Sequence, residues 1–206
     1  MINVRTAAAA LASACVWWLA FALIPVPRAG GSAVAPVVGV VEFYAPTPVA
    51  AFPGVAMEPF AADDLTRLLA RSASGRLAVI PAATMRRAEG DLHWHTADAL
   101  RFDRLRSLAK AVGADRLVVG WVPLFSVDGG GGRSVPFPDG GNGPITADAN
   151  IVVQVFDSSE GRLVGETRQS GFALGITTWQ VATGALHTAL ERVVPELLRL
   201  LGAQAS

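Results

Sequence analysis

The stretch Phe102-Asp103-Arg104-Leu105-Arg106-Ser107-Leu108-Ala109-Lys110-Ala111-Val112, then Gly113-Ala114-Asp115, then Arg116-Leu117-Val118-Val119-Gly120-Trp121-Val122 reads as a helix, a turn and a strand. Phe102, Leu105, Leu108, Ala109 and Val112 recur at helical spacing and predict one apolar face. Gly113 is placed to end the helix, because glycine enters the left-handed region without steric cost. Leu117 to Val122 does not alternate, and such a continuous apolar run suits a strand covered on both faces. This αβ unit anchors the fold.

Upstream lie the units that would pair with it. Val37-Val38-Gly39-Val40-Val41-Glu42-Phe43-Tyr44 is β-branched and aromatic, and Ala45-Pro46-Thr47-Pro48 stops it. Pro46 to Pro59 reads as ordered coil, because its prolines disfavour helix and central strand. A helix follows, with Phe60, Leu65, Leu68 and Leu69 on its apolar face and Asp63 and Asp64 in its first turns, where the helix dipole favours negative charge. Ser72-Ala73-Ser74-Gly75 ends it, Arg76 to Pro81 is a short second strand, and Thr84 to Glu89 is a short helix. Strand, helix, strand implies crossover connections and parallel pairing.

Downstream the pattern changes. Phe125 to Thr146 is rich in Gly, Pro and Asp and reads as a loop, bounded at 126–147. Ala147 to Asp157 and Arg162 to Phe172 then flank Ser158-Ser159-Glu160-Gly161 as an antiparallel hairpin. The chain closes on a long helix whose stripe is Trp179, Ala182, Leu186, Leu190, Val193, Leu197 and Leu201, with Pro195 expected to kink it or start a new segment. The fold class expected is α/β with a mixed sheet: three parallel strands with crossover helices, then an antiparallel hairpin and a long C-terminal helix.

The chain has 206 residues, 51% hydrophobic, which suits one domain at 36–206 behind an N-terminal segment at 1–35. Ala7 to Val26 carries no charge, follows Arg5, and leads into Pro27-Arg28-Ala29-Gly30-Gly31-Ser32-Ala33, the pattern of an export segment. Three outcomes stay open: cleavage near Ala29 to Ala35, retention as a membrane anchor, or lipidation at Cys15, which ends the weak lipobox Leu11-Ala12-Ser13-Ala14-Cys15. Cys15 is the single cysteine, so an exported domain would have no disulfide framework. Beyond the leader, 15 basic side chains face 17 acidic ones, which leaves no electrostatic footprint for nucleic acid.

The leader, the Val37 to Phe43 strand, the Ala109 to Gly120 segment, the Val153 to Val164 hairpin and the apolar last helix resemble a periplasmic α/β domain. That domain is shared by the amino-terminal domain of TolB, the curli-secretion channel family and the lipoprotein activators of penicillin-binding proteins. The resemblance covers most of Val37 to Leu201 and implies an envelope interaction or assembly module, not an enzyme. The curli family's membrane-spanning insertion has no counterpart, because the Gly129 to Gly143 loop lacks the alternating run of about ten residues needed to cross a bilayer.

Candidate chemistry is sparse. His93 and His95 share one face of an extended segment and, with Glu89, Asp91 and Asp98, could make a metal cluster, but spacing supplies no third ligand and the expected reading is a loop with Trp94 packed inward. His187 stands beside the Leu186 stripe as a boundary residue. No serine sits in a G-x-S-x-G elbow, and Gly129-Gly130-Gly131-Gly132-Arg133-Ser134 lacks the lysine and following helix of a P-loop. Asp63-Asp64 reads as helix-start charge, and Asp157 with Glu160 as turn chemistry. An enzyme working at the carboxyl ends of the parallel strands would place Tyr44, Pro81 and Pro123 around its site.

Catalytic, cofactor-binding and metal-binding residues are accordingly all expected to be none. The expected role is a non-enzymatic exported envelope protein that binds another periplasmic or outer-membrane component through sheet edges and loops, with Pro46 to Pro59, the Gly-rich loop and the aromatics Trp121 and Trp179 as the places to look. Membrane contact is expected only through the N-terminal segment. An oligomeric ring component of an envelope machine and a small envelope enzyme or metal-binding protein are the alternatives.

Overall fold

The computed structural model describes residues 35–44, 57–73, 75–128 and 145–203. The N-terminal segment, most of Pro46 to Pro59 and the Gly-rich loop lie outside them. Five strands form one sheet in the order β2-β1-β3-β4-β5: β1 (Val37–Val40), β2 (Ala78–Val79), β3 (Arg116–Asp128), β4 (Ile145–Asp157) and β5 (Arg162–Gly175). β1 pairs in parallel with β2 and β3, while β3, β4 and β5 run antiparallel. Among the described residues four α-helices accompany the sheet, α1 (Met57–Ala73), α2 (Ala82–Asp91), α3 (Phe102–Val112) and α4 (Thr178–Leu200), with a 3-10 turn at Thr96–Leu100 before α3. This is the expected mixed α/β class, with a long C-terminal helix.

The Phe102 to Val122 unit forms as its pattern requires. Leu105, Leu108 and Ala109 are buried, and Gly113 adopts φ 68° and donates its N–H to the Ala109 carbonyl. Phe102 is half exposed and only leans on the Phe156 ring, at 5.9 Å between centroids. The turn has a second duty: Asp115 Oδ2 accepts the Val37 N–H at 2.8 Å, and the Ser158 hydroxyl donates to the Ala114 and Asp115 carbonyls. Three strand ends are thereby tied together.

Two cores flank the sheet. α1 and α4 cover one face with Leu65, Leu69, Leu186, Leu190, Val193 and Leu197, all inaccessible to solvent. α2 and α3 cover the other face through Met85, Leu105 and Leu108, against Leu117, Val119 and Phe156. The approach of α4 to β5 is unusually close. A Cβ built on Gly171 would stand 2.0 Å from the Ala185 carbonyl oxygen and 2.5 Å from the Ala189 nitrogen. Small residues on both elements, Gly171 on the strand and Ala182, Ala185 and Ala189 on the helix, allow that contact.

Several boundaries differ from expectation. β3 continues to Asp128 and β4 begins at Ile145, so the ends of the expected loop are strand. Polar residues disguised them: Ser126, Asp128 and Thr146 sit in the ladder. β5 likewise runs on to Gly175. β1 ends at Val40, and Tyr44 returns to the sheet only as an isolated bridge to Trp121. α4 remains one helix through Pro195. Its first stripe residue, Trp179, is 46% exposed and packs edge-on against Phe60.

Candidate functional site

Two places gather side chains that could act on another molecule. The first is the crevice at the carboxyl ends of β1 and β2. β1 hands the chain to α1 on one face and β2 hands it to α2 on the other, the divergence that opens ligand crevices in α/β sheets. Glu42, Asp63, Arg86 and Glu89 line it, with Met85 at its floor. Glu89 is 6% exposed, and it accepts the Glu42 N–H at 3.1 Å. Burial pushes the Glu89 carboxyl above the usual range, with the charge of Glu42 adding to it; burial and then Glu58 do the same to Glu42. Arg86 pairs with Asp63 at 2.5 Å. The space is little larger than a water molecule, and its lining has no serine, cysteine or histidine.

The residues expected around such a site do not converge. Tyr44 donates its N–H to the Gly120 carbonyl and accepts from Val122, which seats it against β3. Pro81 lies at the N-terminus of α2, in a groove with Phe60 and Val79 that adjoins the crevice at Asp63 and Ala82. Pro123 sits at the β-bulge of β3.

The histidines separate as well. His93 takes φ 51°, an uncommon conformation for a non-glycine residue, and turns the chain after α2. Trp94 then packs partly buried against the α2–α3 core beneath the Arg104 guanidinium. Asp98 accepts the His95 N–H and pairs with Arg104 at 2.9 Å, while Glu89 faces Glu42. Among the described residues, no three His, Cys, Asp or Glu side chains are placed to hold a metal ion.

His187 does more than mark a boundary. Its Nδ1 is 2.6 Å from Asp64 Oδ2 on α1, and its Nε2 is 3.2 Å from Glu191 Oε1 on α4. The Asp64 hydrogen bond, aided by the charges of Asp64 and Glu191, holds the imidazole above its ordinary pKa against the pull of burial. Asp64 is thus a buried latch between helices and also meets Arg67 at 3.1 Å, a correction to its reading as helix-start charge. The Asp157 reading stands: its Oδ1 accepts from the Ser159 N–H, the Ser159 hydroxyl and the Glu160 N–H within the turn.

The second place is the far half of the β3–β5 ribbon. On the α2–α3 side of the sheet, the helices reach Leu117, Val119 and Phe156 and stop. Beyond them Leu124, Phe172 and Leu174 are 55%, 54% and 63% exposed, and Trp121 is half-buried. Phe172 pairs with Asp148, and Leu174 with Thr146, so both lie on the edge strand. Ile176 continues the exposed series at 85%. Exposed aromatic and aliphatic residues are here interleaved with Asp148, Asn150 and Ser170, a mixture of the kind found at protein contact surfaces. Sequence reasoning names Trp121 of this surface and reads Phe172 as strand, but it ends the hairpin at Phe172 and leaves Leu174 and Ile176 out.

No family model matches the chain, and no curated protein matches it. Solved structures do. It is similar to the hypothetical protein CT253 from Chlamydia trachomatis, with a TM-score of 0.51 and 14% identity over 82% of this chain and 96% of that one. It is similar to the lipoprotein GNA1162 from Neisseria meningitidis, with a TM-score of 0.50 and 14% identity over 80% and 99%. LpoB from E. coli follows at 0.46 and 14% identity, over 68% of this chain, which spans 57% of LpoB. What the chain shares with CT253 and the lipoprotein GNA1162 is its fold.

Proposed function

We propose that this protein is a non-enzymatic exported envelope protein, an interaction module that holds another periplasmic or outer-membrane protein. The observation that carries the reading is the uncovered apolar half of the β3–β5 ribbon, with Leu124, Phe172 and Leu174 more than half exposed. The export-type segment up to Ala35 supports the envelope address, as does the fold held in common with the lipoprotein GNA1162. Kinship with the TolB amino-terminal domain and the curli-secretion channel rests on the sequence motifs alone. The crevice adds no competing chemistry, since its carboxyls face an Arg86–Asp63 pair and no nucleophile. Among the described residues no helix is long and apolar enough to cross a membrane. The test is native mass of the full chain after expression with its own leader and mild extraction. One protomer retaining one envelope protein is expected; a closed ring of this chain alone favours the oligomeric alternative.

A further inference from the structure

We propose that the β5 edge takes up an extended, acidic and apolar segment of the envelope partner as a sixth strand of the sheet. This rests on the interaction reading above and names the site and chemistry of its ligand. The sheet has two edges, and they differ: β2 has 2 residues, whereas β5 has 14 and no proline. A long edge strand offers a row of unpaired N–H and C=O groups, the template that extended peptides use when they add to a sheet.

One bond shows which backbone groups face outward. The Ser170 carbonyl accepts from Arg192 Nη1 of α4 at 2.7 Å, so it points away from β4. Backbone groups of alternate strand residues point the same way, so Phe172 and Leu174 also direct N–H and C=O to the open edge. Their side chains stand on the uncovered face, ready to stack on alternate apolar residues of an added strand.

Charge names the rest of the ligand. Arg168 is already balanced by Glu166, but Arg192 meets only a carbonyl, and no carboxylate among the described residues pairs with it. Arg192 is therefore both guard and receptor. In the free protein it occupies the Ser170 carbonyl. When a strand arrives, that carbonyl takes the incoming N–H and the released guanidinium pairs with a carboxylate on the newcomer. A basic segment would meet Arg192 and Arg168 unfavourably.

The experiment uses the full chain in mild detergent and a blocked, fluorescent peptide of alternating valine and threonine with a central glutamate, roughly ten residues long to run beyond Arg168 to Gly175. Saturable binding is expected, with slowed hydrogen exchange at the Phe172 and Leu174 amides. N-methylation of alternate peptide amides, glutamate replaced by lysine, and the protein variant Leu174→Lys should each weaken binding by about tenfold or more. Phe172→Pro removes one outward N–H and should act likewise; Leu174→Lys covers the case in which it does not fold. Unchanged affinity for the N-methylated peptide, or no protection at Phe172 and Leu174, overturns the proposal. So does protection that rises with protein concentration without peptide, which would mean that a second copy occupies the edge. Retention of an envelope protein by the full chain when the peptide does not bind overturns the edge proposal and leaves the interaction reading standing.

Discussion

His187 and Asp64 lie 123 residues apart in the chain and meet at 2.6 Å, joining α4 to α1 across one face of the sheet. Because the imidazole gains a carboxylate on each ring nitrogen, its pKa in the folded protein is raised above 6.5. A raised histidine contributes stability that is complete below its unfolded pKa and is lost as pH rises through its folded one. His187→Ala should therefore cost about 1 kcal/mol at pH 5.5 and less at pH 9, read from urea unfolding at the two values.

Glu89 gives the opposite lesson about charge. Its buried carboxyl has a raised pKa, so ionising it at neutral pH opposes folding, and the penalty fades as pH falls through the folded value. Glu89→Gln keeps an oxygen for the Glu42 N–H while removing the charge. The melting temperature at pH 7.5 should rise, and the gap to wild type should close towards pH 4.

Gly171 sets the distance between β5 and α4. The Cβ of an alanine there would collide with helix backbone at Ala185 and Ala189, which no rotamer change relieves. Gly171→Ala should destabilise the protein by about 3 kcal/mol, at the upper end for overpacking, seen as a lower denaturant midpoint.

Local features of this fold were legible in the sequence. The left-handed Gly113 cap, the apolar β3 run and the Ser158 to Gly161 turn each depend on neighbours within a few residues, and each stands as read. The ends of β3 and β4 next to the Gly-rich stretch were illegible because Ser126, Asp128 and Thr146 are polar, and that polarity mimics a loop when no helix covers the strand. Trp179 matched the helical stripe, but the stripe outruns the core at the start of the helix. The Asp64–His187 latch and the Glu42–Glu89 contact join residues far apart in the chain, so no spacing rule could have paired them. The Arg192–Ser170 contact likewise joins a helix to a strand 22 residues away.

Exposed positions on the ribbon should matter for binding and little for stability. Phe172→Ser and Leu174→Ser remove side chains that are more than half exposed, so unfolding should shift by no more than about 0.5 kcal/mol. The amount of envelope protein retained by the full chain should nonetheless fall, measured by quantitative co-purification.

The most direct measurement is site-specific photo-crosslinking in cells that express the full chain with its own leader. A photoreactive residue at position 174 on the open ribbon is compared with one at position 107, exposed on α3 away from it. A discrete adduct with an envelope protein from position 174, absent from position 107, is the predicted result. Adducts of equal yield from both positions, or none from position 174, would contradict an interaction module that works through the β3–β5 ribbon.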